Sequence, residues 1–283
     1  MAIDEAMLNA CVRQAGAPAA APATIRFYTW SPPAVSIGCL QRISQGLPVA
    51  GDFDPAQAKE FGLDTVRRPT GGRGVLHKGD LTCSLVFAED NPVIPRGVPA
   101  SYQKISQAVQ RGLWRLGVPS QLCPKRKISR TPYCLSGVAR HEILVHGKKI
   151  MGNAQKRTKG ACLLQGSIMV EDQRELIHRL FPQRESGIKE QRLCASVPLP
   201  LCPSPSEFIS LEEAFGSPIA FSLVKEALIR GFEEIFHLSF TLGSLTAWEE
   251  EEAARLVQEN YSQDLWNQDR IKNPFNSSRE GHL

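Results

Sequence analysis

Three extended segments follow one another between residues 142 and 170, with no helical pattern between them. They are predicted at residues 142–145, 149–153 and 162–170, and the turn His146-Gly147 joins the first two. Parallel neighbours in a sheet need a crossover of about a dozen residues or more, usually a helix. Consecutive strands without such a crossover therefore favour an α+β fold whose mixed, mostly antiparallel sheet is flanked by helices.

The other predicted elements surround this central group of strands. Runs of β-branched and aromatic residues predict strands at 24–30, 34–38, 63–68 and 81–87. Apolar residues at helical spacing predict helices at 2–14, 52–61, 102–116, 174–181, 220–236 and 247–261. A chain of 283 residues has room for one large domain with a small appendage.

Charge and hydropathy exclude several classes of protein. No apolar run approaches the roughly 20 residues that a membrane helix needs. The first ten residues contain two acids and no basic region, so they do not resemble a secretory signal. The net charge of +4 is modest and the basic clusters are short, which does not indicate a nucleic-acid-binding tail. We therefore expect a cytoplasmic protein that binds neither nucleic acid nor membrane.

The chain has eight cysteines, and their spacing predicts neither a zinc site nor a redox pair. In a cytoplasmic protein they should be reduced thiols, and most free cysteines are small buried apolar residues. We expect one or two of them at most to have a chemical role. They stand at positions 11, 39, 83, 123, 134, 162, 194 and 202.

A segment rich in glycine and arginine, residues 66–77, joins two predicted strands. Glycines allow a positive φ, so that successive backbone N–H groups can converge on an anion or a carbonyl. The three arginines of the segment could add charge suited to phosphate, although the segment lacks the pattern of a P-loop. The alternatives are a tight turn with solvated arginines and, for His77, a histidine satisfied in the core.

The second candidate segment centres on Lys148 and Lys149. Side chains alternate along a strand, so one of the two lysines should point into the protein. A buried ammonium is costly unless it is paired or functional. In the alternative interpretation, both lysines lie on an edge strand and reach water. Cys134 precedes Lys149 by fifteen residues and follows a proline-containing loop. A thiol beside an ammonium would have a lowered pKa and be nucleophilic, but the sequence does not show that the two meet.

Taken together, RRPTGGRGVLH, GKKIMGNAQKR and LLQGSI resemble, in order and spacing, the motifs of the biotin/lipoate protein ligase and octanoyltransferase superfamily. The resemblance extends from Met1 to the tail that ends at Asn267. Within the superfamily, the chain is similar to octanoyl-[acyl carrier protein]:protein N-octanoyltransferases of the LipM type. That type carries a reactive cysteine ahead of the strand pair that holds the lysine, and Cys134 and Lys149 match this pattern.

The resemblance implies an acyltransferase of lipoate biosynthesis. Cys134 would take the octanoyl group from octanoyl-acyl carrier protein, and a lysine of the glycine cleavage H protein or of an E2 lipoyl domain would then accept it. Lys149 would stabilise the thiolate and the developing oxyanion. No metal and no cofactor would be needed, because the donor is already a thioester. The resemblance implies that the substrate-binding residues are Arg68, Thr70, Gly71, Gly72, Arg73, Val75, Leu76, His77, Gly152, Asn153, Ala154 and Gln155.

The resemblance also implies boundaries and shows departures. The catalytic domain would span 1–195, and C-terminal helices packed on the same domain would span 208–272. From their prolines, residues 196–207 are predicted as a linker, and residues 273–283 are predicted as a frayed tail. A strand that the family usually has upstream finds no counterpart in this sequence, which leaves the sheet edge and the start codon open. Gln165 stands where the family often has histidine, and Asn153 where serine is frequent.

Two rival functions remain open. A lipoate–protein ligase would use ATP to form an acyl adenylate and would grip the phosphates with Lys149 and the glycine-rich turn. Such a ligase needs no thiol at position 134. A non-catalytic scaffold that binds carrier domains is the other alternative, and an octanoyl adduct on the chain would argue against it.

Overall fold

The computed structural model describes residues 1–15, 22–41, 43, 53–124, 140–181, 208–263 and 266–267. The strands are β1 (Thr24–Tyr28), β2 (Ala34–Ile37), β3 (Asp64–Arg67), β4 (Val75–His77), β5 (Asp80–Ala88), β6 (Gln121–Leu122), β7 (Ile143–Val145), β8 (Lys148–Lys149), β9 (Met151–Thr158) and β10 (Ala161–Met169). The helices are α1 (Ala2–Gln14), α2 (Pro55–Glu60), α3 (Val98–Arg115), α4 (Arg174–Leu180), α5 (Leu211–Phe215), α6 (Phe221–Phe236) and α7 (Ala247–Leu256), which a π-helical turn (Val257–Tyr261) follows.

The largest sheet is antiparallel throughout and has the strand order β1-β5-β10-β9. All nine residues of β5 are buried, because the strand is covered on both faces. Leu85 and Phe87 point into the main core with residues of α3 and α6. Val86 and Ala88 point to the other face and pack against α1. Burial on both faces fits the apolar run at residues 85–88, whereas Asp80, Thr82 and Ser84 in the first half of the strand are buried polar residues that alternate with apolar ones.

Helices α3 and α6 cover the main face of the large sheet and lie close together. Their contact uses Gly112 of α3 and Gly231 of α6. A Cβ added at Gly231 would lie 2.4 Å from the carbonyl oxygen of Ala108, so this approach tolerates no side chain at that point. On the opposite face, α7 packs on α1 through small residues and Leu256. The C-terminal helices therefore share their cores with N-terminal elements.

Two smaller sheets lie beside the large one. In the first, β2 pairs in parallel with β3 and antiparallel with β4. Its core includes residues of α2 and α4. Helix α2 begins at Pro55, and the side chain of Asp54 caps it. The second small sheet has the order β6-β7-β8. The turn between β7 and β8 has positive φ at both His146 and Gly147, as a tight hairpin with a type I′ turn requires.

The predicted α+β class with mixed, mostly antiparallel sheets is confirmed. The strand predicted at 149–153 is interrupted at Ile150, because the chain leaves the β7–β8 hairpin there and enters the large sheet as β9. The helix predicted at 247–261 ends at Leu256 and widens into the π-helical turn. The predicted linker at 196–207 and tail at 273–283 lie outside the described residues.

Within the described ranges, none of the helices combines the length and the apolar character that spanning a bilayer requires.

Candidate functional site

Lys149 is the buried member of the lysine pair. Its side chain is 1% exposed, and its Nζ donates to Glu142 Oε1 at 2.8 Å. Lys148 points the opposite way along the same strand and forms a half-exposed ion pair with Glu213. The ammonium of Lys149 is therefore held inside the protein by a carboxylate at the start of the same hairpin. Such a pair tolerates burial because each charge neutralises the other.

The glycine-rich turn is held by its own arginines. Arg68 is buried, and its guanidinium donates to the carbonyl oxygens of Ser36, Gly71 and Arg73 at 2.9, 2.8 and 2.7 Å. Arg67 is also buried and donates to the carbonyl oxygens of Gly38 and Gln41. Fixed donors facing several backbone acceptors make the turn rigid, which is the arrangement expected of a preorganised binding site.

The turn also depends on a close backbone approach at Gly38. The Cys39 N–H donates to the Thr70 carbonyl oxygen at 2.9 Å. A Cβ added at Gly38 would lie 2.0 Å from the carbonyl oxygen of Gly72. Only glycine lets the end of β2 lie this close to the turn.

We therefore predict that Gly38→Ala lowers the free energy of unfolding by about 3 kcal/mol, because a backbone carbonyl cannot move aside as a flexible side chain can. Urea unfolding of the purified variant measures the loss. Gly243→Ala is the control, since a Cβ there would meet open space. Equal midpoints for the two variants would contradict the prediction.

A narrow cavity lies beside the turn, between the sheet of β2–β4 and the large sheet. It holds about 30 Å³, little more than the space of one water molecule, so a bound acyl chain would have to displace side chains. Its walls come from both sheets and bring distant parts of the chain together. The lining residues are Met1, Ser36, Arg68, Val75, His77, Thr82, Gly152, Asn153, Ala154, Gln165, Gly166 and Ser167.

Gln165 links the turn to a buried carboxylate. Its Oε1 accepts from Thr70 Oγ1 at 2.9 Å, and its Nε2 donates to Asp4 Oδ2 at 2.7 Å. Burial works against ionisation of Asp4, but nearby positive charges, including Arg26, and hydrogen bonds from Tyr28 and Gln165 hold the pKa of its carboxyl below the usual value. Gln165 stands where the resembling family often has a histidine. Its side-chain amide supplies both a hydrogen-bond donor and an acceptor, and unlike a histidine it does not change protonation with pH.

The cavity brings together six of the predicted substrate-binding residues: Arg68, Val75, His77, Gly152, Asn153 and Ala154. Leu76 points away from it and packs in the core between the small sheet, α2 and α4, because side chains alternate along β4. Gln155 contacts Arg157 instead. Thr70, Gly71, Gly72 and Arg73 lie in the turn and are not among the lining residues; Thr70 bonds to Gln165, which lines the cavity. Among the described residues, no group of three or more acidic, histidine or cysteine side chains is arranged to hold a metal ion.

Sequence reasoning missed several polar residues of this region. A signal existed for Ser36, since it is the one polar residue of the otherwise apolar segment 34–37. Glu142 could have been suggested by the hairpin, whose fold returns the chain toward Lys149. Asp80 and Thr82 follow His77 by three and five residues and bond locally to it, whereas Ser167 reaches Asp80 by a long-range contact. The missed residues are Ser36, Asp80, Thr82, Glu142 and Ser167.

Three of the five described cysteines are poor nucleophiles. Burial raises the pKa of Cys83 to about 12 and that of Cys162 to about 12, and it raises the pKa of Cys11 to about 11. Each thiol is therefore protonated at neutral pH, and each packs in a hydrophobic core. Cys134 lies outside the described residues.

We predict that Cys11, Cys83 and Cys162 resist alkylation in the folded protein at pH 8, because the reactive thiolate is scarce and the sulfurs are covered. Brief treatment with iodoacetamide followed by peptide mass spectrometry measures the labelling of each site. The same treatment in urea is the control and should label all three. Labelling of any of them in the folded chain at its rate in urea would contradict the prediction.

Comparison with known proteins identifies the family. Residues 1–233 match the family described as the Lipoyl protein ligase A/B catalytic domain. The chain is 34% identical to the Octanoyltransferase LipM of Geobacillus kaustophilus, an alignment that covers 94% of this chain and 92% of that protein. It is 36% identical to the Octanoyltransferase LipM of Symbiobacterium thermophilum, with the same coverage. The chain therefore belongs to the lipoyl protein ligase A/B catalytic domain family.

Solved structures agree on the fold. A crystal structure of lipoate-protein ligase A bound with ATP superimposes with a TM-score of 0.74 at 24% identity and covers 95% of this chain and 93% of its own. The bipartite lipoate protein ligase of Thermoplasma acidophilum, whose structural analysis included its E2 lipoyl domain, gives a TM-score of 0.71 at 23% identity, covering 96% and 91%. At these identities the likeness concerns the fold alone.

Proposed function

We propose that this chain transfers an octanoyl group from octanoyl-acyl carrier protein to a lysine of a lipoyl carrier protein, by way of a thioester on Cys134. One observation carries the proposal: proteins named octanoyltransferase match 94% of this chain at 34–36% identity. The acceptor is the glycine cleavage H protein or an E2 lipoyl domain, since a carrier lysine is the group that attacks the thioester.

The transfer occurs in two balanced steps. In the first, the Cys134 thiolate attacks the carbonyl carbon of the donor thioester, the carbon–sulfur bond to the carrier breaks, and the carrier leaves as a thiol after taking up a proton. In the second, the unprotonated amine of the acceptor lysine attacks the Cys134 thioester, an amide forms, and the Cys134 thiol is released. Splitting the transfer in this way replaces one slow step by two easier ones.

Lys149 supplies positive charge in this scheme. Its buried ammonium is fixed by Glu142, and Lys149 lies three residues ahead of Gly152, which lines the cavity. Three residues of chain span at most about 10 Å, and the strand breaks at Ile150 between them, so Lys149 lies near the cavity without lining it. An ammonium held in a water-excluded setting stabilises both a nearby thiolate and the oxyanion of the tetrahedral intermediate.

Arg67 and Arg68 direct guanidinium N–H groups at carbonyl oxygens of the turn and its neighbours, so they fix the shape of the turn beside the cavity. The raised pKa values of Cys11, Cys83 and Cys162 reduce the number of thiols that could carry the acyl group.

The deciding experiment omits ATP. The full chain is mixed with octanoyl-acyl carrier protein, its intact mass is measured, and an unacylated carrier domain is then added. We expect an octanoyl adduct that hydroxylamine removes, followed by acylation of the carrier. A strict requirement for ATP would instead identify a ligase. The absence of an adduct and of carrier acylation, with and without ATP, would identify a scaffold.

A further inference from the structure

A serine, a histidine and an aspartate form a hydrogen-bonded chain at the cavity. Ser36 Oγ lies 2.8 Å from His77 Nε2, and His77 Nδ1 lies 2.8 Å from Asp80 Oδ2. The three side chains are 1–4% exposed, and both Ser36 and His77 line the cavity. The octanoyl transfer proposed above assigns no step to this chain of groups.

The surroundings fix the direction of each proton. Asp80 Oδ2 also accepts from Thr82 Oγ1 at 2.9 Å and from Ser167 Oγ at 2.7 Å, so the carboxylate is held as an acceptor. Neutral His77 then carries its proton on Nδ1, toward Asp80, and its Nε2 is an acceptor. The hydroxyl of Ser36 therefore donates to Nε2.

Two further contacts keep the geometry rigid. The ring of Trp30 stacks on His77 with the centroids 4.2 Å apart, while its Nε1 donates to Thr82. Arg68 donates to Ser36 Oγ at 3.0 Å, which leaves the proton of that hydroxyl to the histidine. A base whose tautomer and ring position are both fixed is the arrangement that general-base catalysis requires.

We infer that Ser36, His77 and Asp80 form a proton relay that accepts the proton of the attacking amine in the second transfer. The inference rests on the proposed two-step octanoyl transfer. When the amine nitrogen bonds to the thioester carbon, it gives its proton to Ser36 Oγ, and the proton of Ser36 passes to His77 Nε2. Asp80 stabilises the imidazolium. The carbon–sulfur bond then breaks and its electron pair goes to the Cys134 sulfur. His77 returns its proton to solvent, from which the thiolate takes up a proton.

The relay matters for one half of the reaction. In the first transfer a thiolate attacks and another thiolate leaves, so no strongly basic nitrogen must lose a proton. In the second transfer, an amine nitrogen that becomes positively charged on attack must give up its proton before the amide can form. A general base contributes about 10²- to 10⁴-fold to such a step. The relay should therefore be selective for aminolysis.

The experiment separates the two halves in single-turnover reactions. Ser36→Ala and His77→Gln are each loaded with octanoyl-acyl carrier protein, freed of excess donor, and mixed with the carrier acceptor or with hydroxylamine. Hydroxylamine is already unprotonated at neutral pH and needs little help from a base. We expect transfer to the carrier to be slowed about 100-fold or more, and far more than either loading or hydroxylamine release.

Ser106→Ala is the matched control, since Ser106 is a fully buried serine of α3 whose hydroxyl has no hydrogen-bond partner among the residues that the structure describes. It should behave as wild type in all three measurements. Loading of a variant also shows that it is folded. Equal slowing of loading and transfer, an unchanged transfer rate, or an octanoyl ester on Ser36 would overturn the relay. Wild-type enzyme that cannot be loaded would refute the proposed function itself, and the relay would fall with it.

Discussion

Replacing Cys134 by serine is expected to abolish both the thioester adduct and transfer to the carrier. A serine hydroxyl does not ionise near neutral pH, and an oxygen ester would be a poor donor to an amine compared with a thioester. Intact mass spectrometry after incubation with octanoyl-acyl carrier protein measures the adduct, and acylation of the carrier measures transfer. We expect neither signal above the uncatalysed background.

The control for this experiment is Cys202→Ser, which changes a cysteine of the proline-rich sequence that the scheme does not use. It should load and transfer as wild type does. A Cys134→Ser variant that still carries a hydroxylamine-sensitive octanoyl group would place the nucleophile at another thiol. Full transfer without any adduct would mean that the acceptor lysine attacks the donor directly.

Lys149→Met is expected to lower the transfer rate by about 100-fold or more, because the oxyanion and the thiolate lose a fixed positive charge. The same change should lower the free energy of unfolding by about 3–5 kcal/mol, since it leaves Glu142 buried opposite an apolar side chain. Methionine retains most of the apolar stem that lysine packs in the core. Transfer assays and urea unfolding measure the two effects.

The two effects can be separated with a second substitution. Combining Lys149→Met with Glu142→Gln removes the buried charge and should restore most of the lost stability, yet leave transfer slow. Lys148→Met is the matched control, because Lys148 faces outward on the same strand and its surface pair with Glu213 is worth at most about 1 kcal/mol. Recovery of transfer in the double variant would show that Lys149 serves folding alone.

The lysine pair illustrates how far sequence reasoning reaches. Alternation along a strand required that Lys148 and Lys149 face opposite sides, but it did not tell which of them is buried. The packed structure selects Lys149, because its side of the hairpin holds Glu142. The same alternation would have excluded Leu76 from the cavity, since it puts Val75 and His77 on one side of β4 and Leu76 on the other.

The contacts of the arginines in the glycine-rich turn could not be predicted from the residues around them. Their pattern was equally consistent with binding an anion and with lying in solvent. In the structure, Arg68 reaches the carbonyl oxygens of Ser36, Gly71 and Arg73, and the first of these lies on a separate strand. Which acceptors a guanidinium meets depends on how strands pack, and no property of residues 66–77 alone specifies it.

The sequence by itself determined the α+β class, most helix and strand positions and the family, because these depend on short-range periodicity, turn residues and the order of local motifs. The tertiary structure decided which polar groups meet. Ser36 and His77 are 41 residues apart, and Thr70 and Gln165 are 95 apart, yet each pair is hydrogen-bonded. The physical reason is that such contacts follow from the register of neighbouring strands and the packing of two sheets, which the whole chain sets jointly.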